Sequence, residues 1–194
     1  MRLTPLLFLA FVATAPALCA ADSYAIDPAH SSVTFNVRHF LAKVPGWFTA
    51  FNGTIVWDPA DLPRCFVEAS VDVASISTNQ EKRDAHLRTP DFFDTATHPA
   101  ATFKSRTWTK TGENTYDVGG DLTLHGVTKE ITLRVKYLGS APGNRGATLT
   151  GWEAAVTLQR ADFSIGKPER SIGDTIEIVI NIEARLLKPE TQTP

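Results

Sequence analysis

From Ser32 the chain reads SVTFNVRHF. Val33, Phe35 and Val37 fall on one side, Ser32, Thr34, Asn36 and Arg38 on the other, and His39 ends the apolar row. Alternation with a period of two predicts a strand with one dry face and one wet face. The pattern recurs. Phe51, Gly53, Ile55 and Trp57 share one face, as do Val67, Ala69, Val71 and Val73. Ala101 and Phe103 oppose Thr102 and Lys104, and Tyr116, Val118, Gly120, Leu122 and Leu124 form another row. Ile131, Leu133, Val135 and Tyr137 follow, then Trp152, Ala154, Val156 and Leu158, and last Ile176, Ile178, Ile180 and Ile182. Together these predict about eight strands.

The joints carry turn chemistry. HGVT, from His125 to Thr128, predicts a tight hairpin. GSAPGNRG, from Gly139 to Gly146, reads as a longer flexible loop, and DPADLP, from Asp58 to Pro63, as a rigid surface loop. One segment breaks the alternation. Thr78 with Glu81 three residues on has the spacing of a capping box, Asn79 to Arg88 is rich in helix formers, and Pro90 stops the run. This predicts one short helix after the third long strand, with Leu87, Phe92 and Phe93 clustering at its end.

Sequential half-apolar strands with a single helix predict an all-β protein, an eight-stranded antiparallel barrel, with a two-sheet sandwich as the structural alternative. An eight-stranded barrel is either filled by side chains or left open for one small ligand. The inward rows mix large residues (Phe35, Phe51, Phe103, Trp152) with small ones (Gly53, Ala69, Ala101, Gly120, Ala154). Small inward residues leave room for an apolar cavity, but they also suit an interdigitated core. The pattern alone leaves both open.

The first residues modify the picture. Arg2, the apolar run LLFLAFV and the small residues up to Ala21 have the three regions of a cleaved secretory signal. The expectation is a leader over 1–21, a barrel over 22–188, a frayed tail over 189–194 and export of the mature chain. No stable membrane span is expected, because no apolar run reaches the length a bilayer requires. Loss of Arg2 takes the formal charge from −2 to −3, which argues against nucleic acid as a partner. Cys19 leaves with the leader, so Cys65 cannot form an internal disulfide, and its place at the head of an apolar strand predicts a buried thiol.

The five histidines (His30, His39, His86, His98 and His125) lack the spacing of a metal site, and neither a metal nor a cofactor is expected. Asp27 and His30 suggest a turn that fixes the first strand, and Arg160 with Asp162 a local ion pair. Ser31, His30 and Asp27 supply the residue types of a catalytic triad, but near neighbours on a strand or turn point apart. No catalytic residue is assigned. Arg83 and His86, three apart on the helix, can share a face and meet a polar head group if that face looks into an opening.

In order along the chain, YAIDPAHSSVTFNVRH, GWFTAFNGTI, SISTNQEKRDAHLRTPDFFD, HPAATFKS, GDLTLHGVTKEITL, LQRADFSI and IEIVINIEA together resemble the YceI-like family of periplasmic polyisoprenoid-binding proteins. The resemblance spans nearly all of the chain after the leader. It departs at Ser164, where the family often has glycine, and at Trp47, a bulky neighbour of Gly46 that bears on the mouth. It implies an extended, lipocalin-like barrel with an interior tunnel that holds a long isoprenoid amphiphile, a polyprenyl phosphate or a quinone, for carriage, storage or scavenging. On that reading Val33, Phe35, Val37, Phe51, Ile55, Val71, Phe103, Leu122, Leu124, Leu133, Val135, Trp152, Ile178 and Ile180 meet the tail. His39, Arg83, His86, Leu87, Phe92 and Phe93 surround the mouth. An enzyme acting on a lipid or quinone in the same cavity, and an interaction barrel with a filled core, are the competing readings. An exposed strand edge or the mouth leaves a homodimer open.

Overall fold

The computed structural model describes residues 21–187, so the leader before Ala21 and the tail lie outside the described residues. Eleven strands are formed: β1 (Asp22–Ile26), β2 (Ser32–His39), β3 (Ala42–Phe48), β4 (Phe51–Trp57), β5 (Phe66–Asp72), β6 (Ile76–Ser77), β7 (Ala100–Lys110), β8 (Thr115–Leu124), β9 (Val127–Pro142), β10 (Thr148–Gln159) and β11 (Ile172–Leu186). One helix, α1 (Glu81–Leu87), precedes β7. All pairings are antiparallel, and the order β1-β4-β5-β7-β8-β9-β10-β11 closes through β1 against β11 into an eight-stranded barrel. The expected barrel is therefore present. Among the described residues no helix is long and apolar enough to cross a membrane.

The long strand β11 explains the extended shape. Its end pairs with β1 (Leu186 opposite Tyr24) and its earlier part with β2 (Ile178 opposite Phe35). One wall position is thus built from two strands in succession, broken at Asp27–Ser31. There the Asp27 carboxylate accepts from the Ala29 amide at 3.0 Å and from His30 Nδ1 at 2.9 Å, the turn that these residues suggest. The hydrogen bond to Asp27, and then the charges of Asp27 and Glu183, hold His30 above the ordinary imidazole range, and the bonds from His30 and Ala29 hold Asp27 below the ordinary carboxylate range. A raised histidine stabilises below its unfolded value and loses this as pH rises through its folded one. A depressed carboxylate stabilises above its unfolded value and loses this as pH falls through its folded one. Both contributions coexist only between the lowered Asp27 value and the raised His30 value. An NMR titration of His30 should read above the ordinary imidazole range, and Asp27→Asn should return it there. An unmoved titration would mean the pair is not formed in solution.

Three local expectations are corrected, and strand β3 adds to the predicted set. Although it contains Pro45, β3 pairs with β2 throughout, Pro45 opposite Asn36. Its far side meets β6 only at Trp47 and Phe48, so around Pro45 it is an edge where a missing N–H costs no ladder bond. The flexible loop expected over 139–146 is mostly strand, because β9 continues to Pro142 and only a one-turn 3₁₀ segment at Asn144–Gly146 separates it from β10. The cap of α1 is Gln80 rather than Thr78: the Gln80 side chain accepts from the Arg83 amide at 2.6 Å. Thr78 instead donates its amide and hydroxyl to the buried Asp84 carboxylate. Arg160 does not pair with Asp162. Asp162 meets Lys129 at 3.3 Å, while Arg160 is buried and turns to backbone carbonyls.

Other expectations hold. His125 and Gly126, both at positive φ (52° and 73°), make the two-residue turn between β8 and β9. Cys65 is buried, receives the Asp58 amide at 3.3 Å, and burial pushes its thiol above the ordinary range. Ser164 stands at φ 56°, a left-handed position that favours glycine.

Candidate functional site

Two buried clusters divide the interior. The first contains Tyr24, Ile55, Trp57, Cys65, Tyr116, Val118 and Trp152, and the second Leu158, Phe163 and Ile165 with Phe92 and Phe93 packed on them. Between and above them lies one apolar cavity of about 580 Å³. Its floor is aromatic. Trp57, only 5 % exposed, has Trp152 at 4.9 Å, Tyr116 and Tyr137 at 5.3 Å and Trp108 at 5.6 Å between ring centroids. Trp108 and Trp152 face the cavity, and Trp57, Tyr24 and Tyr116 fill the space beyond. The polar atoms at this end are matched: Trp152 donates to Thr150 Oγ1 at 3.1 Å and Trp108 to Ser105 Oγ at 3.3 Å. The hydroxyl of buried Tyr24 lies 3.3 Å from Asp22, and its pKa is pushed up to about 12 by burial first and the Asp22 charge second. This aromatic packing closes one end of the cavity.

The twenty residues singled out in the sequence all border this one cavity. Val33, Phe35 and Val37 come from β2, Phe51 and Ile55 from β4, and Val71 from β5. Phe103 comes from β7, Leu122 and Leu124 from β8, Leu133 and Val135 from β9, Trp152 from β10, and Ile178 and Ile180 from β11. His39 ends β2; Arg83, His86 and Leu87 come from α1, and Phe92 and Phe93 from the turns after it. A line of rings joins wall to foot, Phe35 to Phe48 at 5.7 Å and Phe48 to Phe93 at 6.3 Å.

The small residues act in two ways. Ala69, Ala101 and Ala154 border the cavity, but Gly53 and Gly120 do not, so both readings that the pattern left open apply, each at its own positions. A Cβ on Gly120 would lie 2.8 Å from the Phe103 ring. The same device operates at Gly46, opposite Phe35 on β3, where a Cβ would meet the Phe35 ring at 2.2 Å. Gly46 thus makes room for the Phe35 ring, and Gly120 for the Lys104 carbonyl, 2.3 Å from such a Cβ, as well as the Phe103 ring. Trp47 lies on the other face of β3 from Val44 and Phe48, which border the cavity, and does not reach the mouth as expected.

The opening is polar and mostly cationic. Arg83 donates Nε to Thr78 Oγ1 at 2.7 Å and Nη2 to Thr78 O at 2.8 Å, so part of its guanidinium fixes the start of the helix. His86 Nε2 is 3.2 Å from Asp91 and its ring is edge-on to Phe92 at 5.0 Å. Sequence reasoning missed Arg38, Glu169, Ser171 and Arg160 at the cavity edge. Arg160, 7 % exposed, donates to Ile165 O (2.9 Å), Lys167 O (3.0 Å) and Gly173 O (3.2 Å), pinning the segment that frames the opening. Its signal was the break in alternation after Leu158, which read as a local ion pair. Ile26, Val44, Phe48 and Ile76 were also missed, although Val44 and Phe48 follow the alternation across Gly46.

Elsewhere the polar clusters are engaged locally. Ser31 Oγ donates to Glu183 O at 3.2 Å and accepts the Glu183 amide at 3.0 Å, so it is turned to β11 and not to His30. Asp27, His30 and Glu183 have ligand atoms within 4.8 Å of one another, at the surface.

A closed, extended barrel with a blind apolar lumen is common ground for several families, and the decisive observation is sequence similarity across it: residues 24–184 match the YceI-like domain. The chain belongs to the YceI-like family. A UPF0312 protein of Ectopseudomonas mendocina is 37% identical over 167 residues, covering 84% of this chain and 87% of that protein. The crystal structure of Burkholderia cenocepacia BcnA superposes with a TM-score of 0.76 at 24% identity, covering 81% of this chain and 98% of that one. A polyisoprenoid binding domain from Saccharophagus degradans, implicated in plant cell wall breakdown, gives 0.63 at 19% identity, covering 84% and 98%. At these identities the two structures speak for the fold. The family match is what ties this YceI-like chain to its relatives.

Proposed function

We propose that this YceI-like protein binds a long-chain isoprenoid amphiphile in the periplasm, for carriage, storage or scavenging, with the tail in the blind cavity and the head at the cationic opening. The observation that carries this reading is the cavity itself: about 580 Å³, apolar along its length, closed by tryptophans at one end and edged by Arg38, Arg83 and Arg160 at the other. A tail gains by leaving water in proportion to the apolar area buried, and a dry lumen imposes little sequence on it. The fold shared with a polyisoprenoid binding domain and the leader pattern before Ala21 support the same reading. Binding rather than catalysis is favoured, because the groups at the opening are held by backbone carbonyls and neighbouring side chains rather than aimed at one another as nucleophile and base.

Native mass spectrometry of protein isolated from its own cell envelope tests this directly. The expected result is a bound species of defined mass with a prenyl fragmentation pattern. A protein that arrives empty and takes up no prenyl phosphate or quinone would sink the reading. The head group is then separable by charge. Arg83→Ala should weaken a prenyl phosphate about tenfold and leave a quinone of equal tail nearly unchanged, since only the phosphate gains a charge-assisted hydrogen bond. Equal losses for both would mean Arg83 acts only through Thr78.

A further inference from the structure

The turn between β2 and β3 contradicts turn chemistry. His39 pairs with Ala42, so Phe40 and Leu41 alone make the connection. Two-residue hairpin turns need positive φ and favour Gly, Asn and Asp. Here Phe40 takes φ 48°, and both side chains point to water: Phe40 is 59 % exposed and Leu41 fully so. Neither borders the cavity, but their neighbours do. Arg38 and His39 edge the opening, and the Phe40 amide donates to Ser171 O at 2.8 Å, joining the tip to the segment that holds Glu169, Ser171 and Ile172 at the same edge. The most exposed apolar pair of the described surface therefore stands on the lip of the cavity.

The charge around it has a sign. From Ser32 to Phe48 the hairpin contains Arg38 and Lys43 and no carboxylate. Lys43 is paired with Glu177 at 2.7 Å, whereas Arg38, Lys167 and Arg170 form no ion pair among the described residues. Glu169 and Asp174 are the acids nearby along the chain, so the rim keeps a cationic balance. Two side chains on a narrow turn bury far less than the roughly 800 Å² per partner that a stable protein interface needs. They do suit the boundary between head groups and acyl chains, where a few apolar side chains and adjacent cations are enough for reversible attachment.

We propose that the β2–β3 tip is a membrane-docking element: Phe40 and Leu41 enter the interfacial layer of a bilayer with anionic head groups, and Arg38, Lys167 and Arg170 meet the phosphates. Docking sets the cavity opening against the lipid. Its use for loading or delivering a ligand rests on the function proposed above, while the docking itself does not.

The test compares the purified protein, as its host processes it, with Phe40→Asn/Leu41→Gly. That variant installs the residues this turn favours, so the barrel should melt no lower than the parent. Val179→Ser, on the outward face of β11 and 42 % exposed, removes an apolar side chain elsewhere. Co-sedimentation with phosphatidylethanolamine–phosphatidylglycerol vesicles should fall at least about tenfold for the double variant and stay at the parent level for Val179→Ser. Partition of the parent should weaken in pure phosphatidylcholine and in high salt. Equal partition of parent and double variant would overturn the proposal, and so would a tip that only changes the oligomeric state on gel filtration. Titration with a fluorescent prenyl phosphate in vesicle-free solution separates the two readings. Unchanged ligand affinity with lost vesicle binding supports docking. A parent that binds vesicles through the tip but no prenyl ligand removes the proposed function and leaves docking in place.

Discussion

Replacing Trp57 with alanine should destabilise the barrel by about 3–5 kcal/mol, a large share of the net stability of a domain this size. Trp57 is 5 % exposed and touches four aromatic rings contributed by β7, β8, β9 and β10. Truncation removes the transfer energy of an indole and leaves a void whose lining cannot collapse, because the surrounding strands are fixed by their ladders. Edge-on ring pairs add roughly 0.5–1.5 kcal/mol each beyond burial. The check is urea unfolding followed by far-ultraviolet circular dichroism, with the midpoint shifted strongly and the slope kept. A parent-like midpoint would mean that this end of the barrel tolerates a hole and is not what closes it. Trp57→Phe should recover much of the loss, since the smaller ring keeps most of the contacts.

The barrel was legible because its strands are half buried. Residues such as Phe35 and Ile178 must alternate with Asn36 and Glu177 when one face meets an apolar lumen and the other meets water, and the period survives in the sequence. The same constraint made the cavity wall legible, since any inward side chain of a closed barrel borders the interior. What alternation does not record is depth. Trp57 and Ile55 lie on one row, yet Ile55 borders the cavity and Trp57 plugs the end, a difference set by position along the barrel axis. Nor does it record contacts between distant segments. Arg160 reads as the local ion-pair partner of Asp162, but its role is fixed by carbonyls of Ile165, Lys167 and Gly173, which the chain brings round it only on folding. Glycine is ambiguous for a related reason. Gly120 could mean space or packing, and its role depends on the Lys104 carbonyl, the Ser105 backbone and the Phe103 ring of a neighbouring strand, all of which a Cβ there would crowd. Exposure of Phe40 and Leu41 was equally hidden, since apolar residues in a tight turn carry none of the Gly, Asn or Asp signals that mark one.

An acidic residue in the lumen should separate ligand binding from folding. Ile178 borders the cavity between Phe35 on β2 and Val156 on β10, both of which also face it. In Ile178→Asp, a carboxylate would lie against the tail of any bound amphiphile, with no cation on the adjoining strand positions. Filling the lumen then strips water from that charge, at a cost of several kcal/mol, or forces it to take up a proton. A hundredfold loss of affinity corresponds to about 2.7 kcal/mol, so a loss of that size or more is expected for a prenyl ligand titrated into delipidated protein at neutral pH. The empty barrel pays less, because its open end admits water to the same position, and its melting temperature should fall by a smaller equivalent. Lowering the pH should restore part of the affinity, as protonation of the carboxyl removes the charge before the tail arrives. Glu177→Ala, one residue away on the outer face and paired with Lys43, should leave affinity unchanged at every pH. Parent-like affinity in Ile178→Asp would place the tail away from β11 and overturn the assignment of this wall.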